Sequence, residues 1–368
     1  MIEGHFGESS PWSIGVEEEI MILDPGTFEQ APAVEGLLEE LTGTDLPGEV
    51  TTELHASIVE LKTGICRSPQ EALEQLSTLR SAVARAARSR GLVLAASGSH
   101  PLSLPAELEI VQRPRYQEFV AYAGVSARRQ GVSGLHIHVG MPTADACFHA
   151  LEAVLPWLPV VAALAANSPY LAGEETGHLS NRLATLAELP RSGAPPAFRS
   201  YEEWEAFVER FARSGIPLTG DYTSFWWDAR LHPRLGTLEV RMPDQQTSLA
   251  RTAAFTALVQ ALCLTVLGGA RPPYDPGGRG VYQQNRWAAL HSGPDARLIR
   301  PGGEGSASAA ELGRELYELV REGAGELGTS DVLAPLETCE CEGERQLRVG
   351  RARGLTAVCA DLVERSLP

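Results

Sequence analysis

The sequence predicts one mixed domain of helices and strands around a central sheet. Three observations point there. Short strand-like segments are spread among helices along the whole chain. The residues best suited to chemistry fall on strands from both halves of the chain, which favours one shared sheet over two independent domains. The 368 residues are 43% apolar, enough for a sizeable core. Residues 14–23 alternate weakly and read as a first strand, and residues 53–61 as a second. A helix follows, with Ser68 as cap, Pro69 in its first turn and Glu71 completing a capping box. Leu73, Leu76, Leu79 and Val83 keep helical spacing, and Gly91 ends it. Residues 92–96 read as a short buried strand and 134–139 as another. Residues 143–166, 201–213 and 247–267 read as helices. Residues 237–242 form a strand stopped by Pro243. Gly/Pro-rich loops are expected near 272–280 and 293–305, and the chain becomes mainly helical from about 306. The expected organisation is a single catalytic domain over residues 1–368.

Composition excludes several function classes. The formal net charge of −16 argues against nucleic acid as a partner, because phosphate backbones call for a basic surface. Of the 31 basic residues only Lys62 is a lysine, and it lies in Leu61-Lys62-Thr63-Gly64 without a glycine-rich phosphate loop before it. A nucleotide would have to bind by another route. The six scattered cysteines read as free thiols in a reducing compartment, and Cys339-Glu340-Cys341 lacks the second pair a zinc site needs. The polar N-terminus and the lack of an uninterrupted apolar run of ~18 residues point to a cytoplasmic protein without a membrane span.

Four clusters carry chemistry. In Gly15-Val16-Glu17-Glu18-Glu19, Glu17 and Glu19 share one strand face, where paired carboxylates repel unless cations or solvent separate them. A solvated acidic edge strand is the plainer alternative. In residues 53–60, Glu60 sits in an apolar run and needs a partner, either a cation or Lys62 on its own face. In Gly134-Leu135-His136-Ile137-His138-Val139-Gly140, two histidines share a face, which suits a divalent metal or phosphate. In residues 236–244, Glu239 and Arg241 alternate with Leu238 and Val240, either as a salt bridge or as a metal ligand beside a phosphate-binding fork. Together these groups suit Mg²⁺ or Mn²⁺ carrying nucleotide phosphates better than zinc.

These motifs resemble the second family of glutamate–cysteine ligases, the carboxylate–amine ligases of the glutamine synthetase superfamily. They are GVEEE (15–19), ELHASIVELKTG (53–64), ARRQGVSGLHIHVG (127–140), AANSPYL (165–171), TGHLSNR (176–182) and WWDARLHPRLGTLEVRMPD (226–244). The resemblance runs to about residue 288. It implies an α+β fold in which a curved, mainly antiparallel sheet forms an active-site funnel flanked by helices. It implies an ATP-dependent ligase joining glutamate or a similar carboxylate to an amine such as cysteine, through an acyl phosphate. One metal would sit among Glu19, Glu53 and Glu60, another among Glu17, His136 and Glu239. Glu239 and Arg241 would be catalytic. His138 and Arg241 would contact phosphate, and Arg182, Arg230, Asn167 and Tyr170 would shape the substrate site. The superfamily also implies a homo-oligomer such as a dimer. Three rivals stand beside this reading. A His-x-His pair marks metal-dependent amidohydrolase barrels, a guanidino-type kinase shares the superfamily core, and a non-catalytic relative would sense nucleotide or amino acid.

Overall fold

A computed structural model describes residues 2–367. Five strands come first: β1 (Ile14–Leu23), β2 (Gly48–Thr52), β3 (Ile58–Thr63), β4 (Val93–Ala95) and β5 (Leu135–Gly140). A two-stranded hairpin, β6 (Tyr170–Leu171) and β7 (Glu174–Glu175), precedes β8 (Ala229–His232) and β9 (Thr237–Val240). Seven of these build one sheet in the order β2-β3-β1-β5-β9-β8, with β4 against the end of β1. Every pairing is antiparallel. β1 pairs on both sides, with β3 and with β5, so the solvated edge strand is ruled out.

The second strand differs from expectation. Residues 53–57 are a connection, and the strand before it, β2, has the sequence GEVTT. This polar edge strand lacks the apolar alternation that reveals a half-buried strand. Glu53 therefore lies in the connection and Glu60 on β3, not both on one strand.

The helices are α1 (Val34–Leu41), α2 (Pro69–Ser89), α3 (Pro114–Ala123), α4 (Val125–Arg128), α5 (Ala144–Val154), α6 (Leu158–Ala165), α7 (Asn181–Leu186) and α8 (Tyr201–Ala212). Then come α9 (Leu249–Leu267), α10 (Gly278–Ser292), α11 (Ala309–Glu326), α12 (Glu342–Arg353) and α13 (Leu355–Ser366). The Ser68 hydroxyl caps α2 by accepting the Glu71 N–H at 3.2 Å, but the Glu71 carboxylate accepts the Arg67 N–H, one residue before the box position. The single helix expected over 143–166 is two, divided by a 3-10 turn at Leu155–Trp157 where Pro156 and Pro159 deny the ladder its donors. Residues 144–165 and α9 are nevertheless long and apolar enough to cross a membrane, which corrects the run-length reading. Both pack mostly inside the protein and serve as core helices.

Helices cover one face of the sheet. Val16, Ile137, Val139, Leu238 and Val240 join the larger core, with α5, α6, α9 and α11. Ile20, Ile22, Val59 and Leu61 pack with α1 and α2. On the opposite face, Met21, Leu23 and Ile58 are closed over by Tyr170, Val358 and Leu362, so the C-terminal helices cover that end of the sheet. The rest of that face is open and polar.

Candidate active site

Register brings the clusters together. Across β3, β1 and β5, Lys62, Glu17 and His136 are direct neighbours. Glu60 lies opposite Glu19. His138, Glu239 and Arg230 form the corresponding row on β5, β9 and β8. Residues directly opposite in an antiparallel pair share a face, so all of these side chains point to the open side. They line one cavity of about 500 Å³, together with Glu53, Arg182 and Arg241.

The carboxylates are close and buried. Glu17 Oε2 lies 3.0 Å from His136 Nδ1, and Glu17 Oε1 lies 3.5 Å from Lys62 Nζ. Glu19 Oε2 accepts the Gly134 N–H at 2.6 Å, and its Oε1 is 3.8 Å from His136 Nε2. Glu60 pairs with Lys62 at 3.0 Å, so the alternative pairing foreseen for it is present. The Glu53 carboxylate turns back onto the Leu54 N–H. Glu239 is gripped by Arg230 through two nitrogens, at 2.8 and 3.1 Å, and by Arg241 at 2.5 Å.

Charge is unevenly compensated. Burial, then the Glu53 charge, pushes Glu19 up to about 8. Burial followed by Glu17 and Glu53 holds Glu60 well above the usual carboxylate range, and burial raises Glu53. Burial also works to raise Glu17, but the hydrogen bond from His136 and the nearness of the His138 ring hold it well below that range. Glu239 resists its burial through Arg230 and Arg241 and stays low. Burial, then Arg241, brings His136 down to about 3, leaving a neutral imidazole. The five carboxylates lining the pocket face Lys62 and four arginines, but Arg230 and Arg182 spend donors on carbonyls, and burial opposes the charged forms of Glu19, Glu53 and Glu60, a cost that a bound cation would relieve.

The donor set fits such a cation. Glu17, His136 and Glu239 form one group whose ligand atoms lie within 4.8 Å of one another, and Glu19, Glu60 and His136 form a second. His138 adds an independent sign. Its Nδ1 meets the Thr237 hydroxyl at 3.1 Å, while its buried Nε2 has no hydrogen-bond partner and faces Glu17 at 3.7 Å and Glu239 at 4.0 Å. Carboxylate oxygens with imidazole nitrogen suit Mg²⁺ or Mn²⁺. The structure brings Glu17, His136 and Glu239 together. In the other, His136 stands where Glu53 was expected, because Glu53 is turned toward its own backbone.

Other expectations need correction. Arg230 lines the cavity, but its nitrogens serve Glu239 and the carbonyls of Thr223 and Phe225, so it orients Glu239 and offers no free fork. Arg182 also lines the cavity, anchored to the carbonyls of Arg241 and Met242. Asn167 is fully buried away from the cavity. Its amide donates to the Gln245 carbonyl at 2.8 Å and the Thr247 hydroxyl at 3.0 Å, and accepts from Gln346 at 2.7 Å. Tyr170 packs under the C-terminal helices. Both belong to the loops that carry the site, not to its wall.

Several wall residues escaped the sequence reading. Arg115, Tyr116 and Phe119 reach the cavity from α3, and Phe119 stacks on Trp226 with ring centroids 5.2 Å apart. His55, Leu186, Leu189 and Leu218 also line the cavity. The spacing of Arg115 and Phe119 on one helix turn was the only available signal.

Comparison with known proteins agrees with this geometry. The model of glutamate-cysteine ligase family 2 matches residues 13–360. A Rubrobacter xylanophilus protein named for glutamate–cysteine ligase 2-3 is 38% identical over 351 residues, covering 95% of this chain and 92% of its own. The fold is shared with the glutamate–cysteine ligase of Francisella tularensis, solved in complex with AMP. That structure has a TM-score of 0.71 at 15% identity, over 98% of this chain and 89% of the other. The bifunctional glutathione synthetase of Pasteurella multocida gives the same TM-score at 17% identity, over 97% of this chain and 52% of the other. The open antiparallel sheet also excludes an amidohydrolase barrel.

Proposed function

This chain belongs to glutamate–cysteine ligase family 2 and is a carboxylate–amine ligase that forms a C–N bond, and from that premise we propose that it is ATP-dependent and makes a γ-glutamyl amide from glutamate and an amine such as cysteine. The observation that carries the reading is the convergence of two carboxylate–imidazole groups with Arg241 on one open sheet face.

A carboxylate is a poor electrophile in water. In the proposed reaction its oxygen takes the γ-phosphoryl group of ATP and ADP leaves. The amine nitrogen then attacks the acyl-phosphate carbon, the C–O bond to phosphate breaks, and the amine's extra proton is lost. Glu17, His136 and Glu239 would hold one Mg²⁺ or Mn²⁺, and Glu19 and Glu60, with Glu53 or His136, another. Such ions, when bound, neutralise phosphate oxygens. The protein's own groups do the positioning. Arg230 fixes the Glu239 carboxylate from behind, which leaves the far side of the Arg241 guanidinium free to face a transferring phosphoryl group. His138 Nε2, buried and unpartnered, is placed to meet a phosphate oxygen or an ion. The Phe119–Trp226 ring pair gives the cavity an aromatic wall beside the place where the acyl phosphate would form.

The test incubates the protein with ATP, Mg²⁺ and glutamate, adds a panel of amines that includes cysteine, and follows phosphate release and product mass. Release that requires both glutamate and one amine supports the reading. ADP formation without a joined product would point to a kinase, and nucleotide binding without turnover to a sensor.

A further inference from the structure

We propose that Lys62 is a tethered counter-cation that keeps the carboxylate cluster closed to free divalent metal and yields it when a nucleotide triphosphate arrives. The inference rests on the metal-binding reading above and adds how loading of that site is controlled.

Lys62 is the only lysine in the chain. Its ammonium bridges the two ligand groups, 3.0 Å from Glu60 Oε2 and 3.5 Å from Glu17 Oε1. Each of those carboxylates belongs to a different group. One positive charge therefore sits on a carboxylate of each group, and a divalent ion in either group competes with it for that carboxylate. The register makes this arrangement a property of the fold, because Lys62 lies directly across from Glu17 on the neighbouring strand and cannot turn to the other face without a register shift.

The side chain is built to move aside. Lys62 is about one-third exposed, at 32%, on the open side of the sheet, whereas Arg230 and Arg182 are buried and pinned to carbonyls. An ammonium on a four-carbon stem relocates without losing a planar fork. Once metal ions take Glu17 and Glu60, the ammonium loses both close partners, keeps Glu49 across on β2, and is repelled by the ions. An anion in the cavity reverses this, since it gives the ammonium a new partner. Metal and polyphosphate then favour each other's binding, by a coupling that must be reciprocal.

The test measures Mn²⁺ binding by the loss of the free-ion EPR signal, for the wild type, Lys62→Met and Lys62→Arg. Each is titrated with and without a non-hydrolysable ATP analogue, after subtraction of the analogue's own Mn²⁺ binding. Without nucleotide, Lys62→Met is expected to bind Mn²⁺ about tenfold tighter than the wild type, within the usual range of ~5–150-fold for such couplings. Lys62→Arg, which keeps the charge, should stay near the wild type. The analogue should tighten Mn²⁺ binding more in the wild type than in Lys62→Met. Equal or weaker binding by Lys62→Met without nucleotide overturns the inference and leaves the metal site standing, as does a wild type that the analogue does not tighten. Failure of all three proteins to bind Mn²⁺, with or without the analogue, overturns the metal site and the inference together.

Discussion

Three consecutive glutamates on β1 meet two different fates. Glu18 faces the helix-covered side and is fully buried. Its oxygens accept from Arg80 Nε and Nη2, both at 2.7 Å, from the Thr252 hydroxyl at 2.7 Å and from Gln245 Nε2 at 2.9 Å. The remaining Arg80 donors hold the carbonyls of Gln246, Thr247 and Ser366, so this one ion pair ties α2, β1 and the C-terminal helix together. Glu17 and Glu19 face the cavity among Glu53, Glu60 and Glu239, with fewer donors and strongly displaced proton affinities. One side of the strand is a satisfied network that holds the fold. The other crowds carboxylates whose charged forms burial opposes, a cost to the fold that a bound cation would relieve.

The comparison breaks first at the chemistry. Arg241→Ala or Glu239→Gln is expected to lower kcat by ~10³-fold or more while the protein stays folded, because both groups act on the transferring charge. Steady-state kinetics beside a thermal melt checks this, and a loss no larger than tenfold would move the catalytic face elsewhere. Next comes the contrast between neighbours. Arg80→Met strands the buried Glu18 charge and should cost about 3–5 kcal/mol in chemical denaturation. Glu19→Gln, one residue away, should leave the metal-free protein as stable or more so, since it removes a carboxylate that burial and Glu53 oppose.

A pH series sharpens the same contrast. The folded-state value of about 8 for Glu19 lies above its ordinary 4.5. The metal-free fold therefore keeps a proton that the unfolded chain sheds. That contribution to stability is full below about 4.5, declines as pH rises and is gone by about 8. Mn²⁺ must displace the proton, so its affinity should climb across this window, and Glu19→Gln should flatten the stability slope. Glu17 and Glu239, held low, act with the opposite sign: their contribution is present above 4.5 and lost as pH falls through their folded values. The smallest effect belongs to Asn167→Ala. It should cost roughly 1–3 kcal/mol of stability through its unpaired neighbours, with KM unchanged within twofold.

Much of the site was legible because strand alternation is strict. The period of two put Glu17 with Glu19 and His136 with His138 on shared faces, and the register then joined them. Alternation equally implied that Glu18 faces away, but its partners Arg80, Gln245 and Thr252 come from distant segments that no local pattern links. β2 was hidden because a polar edge strand carries no apolar period, and β8 because four residues are too few to show one. Asn167 and Tyr170 were misplaced for a related reason. A motif tells that a residue matters to a loop, while only packing tells whether it faces the cavity or holds the loop from behind.

The central claim is that the cavity face of β1 serves to phosphorylate a carboxylate. The most direct test supplies glutamate labelled with ¹⁸O in its side-chain carboxylate, with ATP, Mg²⁺ and the accepted amine, and weighs the phosphate released. The account predicts one ¹⁸O atom in each phosphate formed from labelled substrate. Product formation with unlabelled phosphate would contradict it.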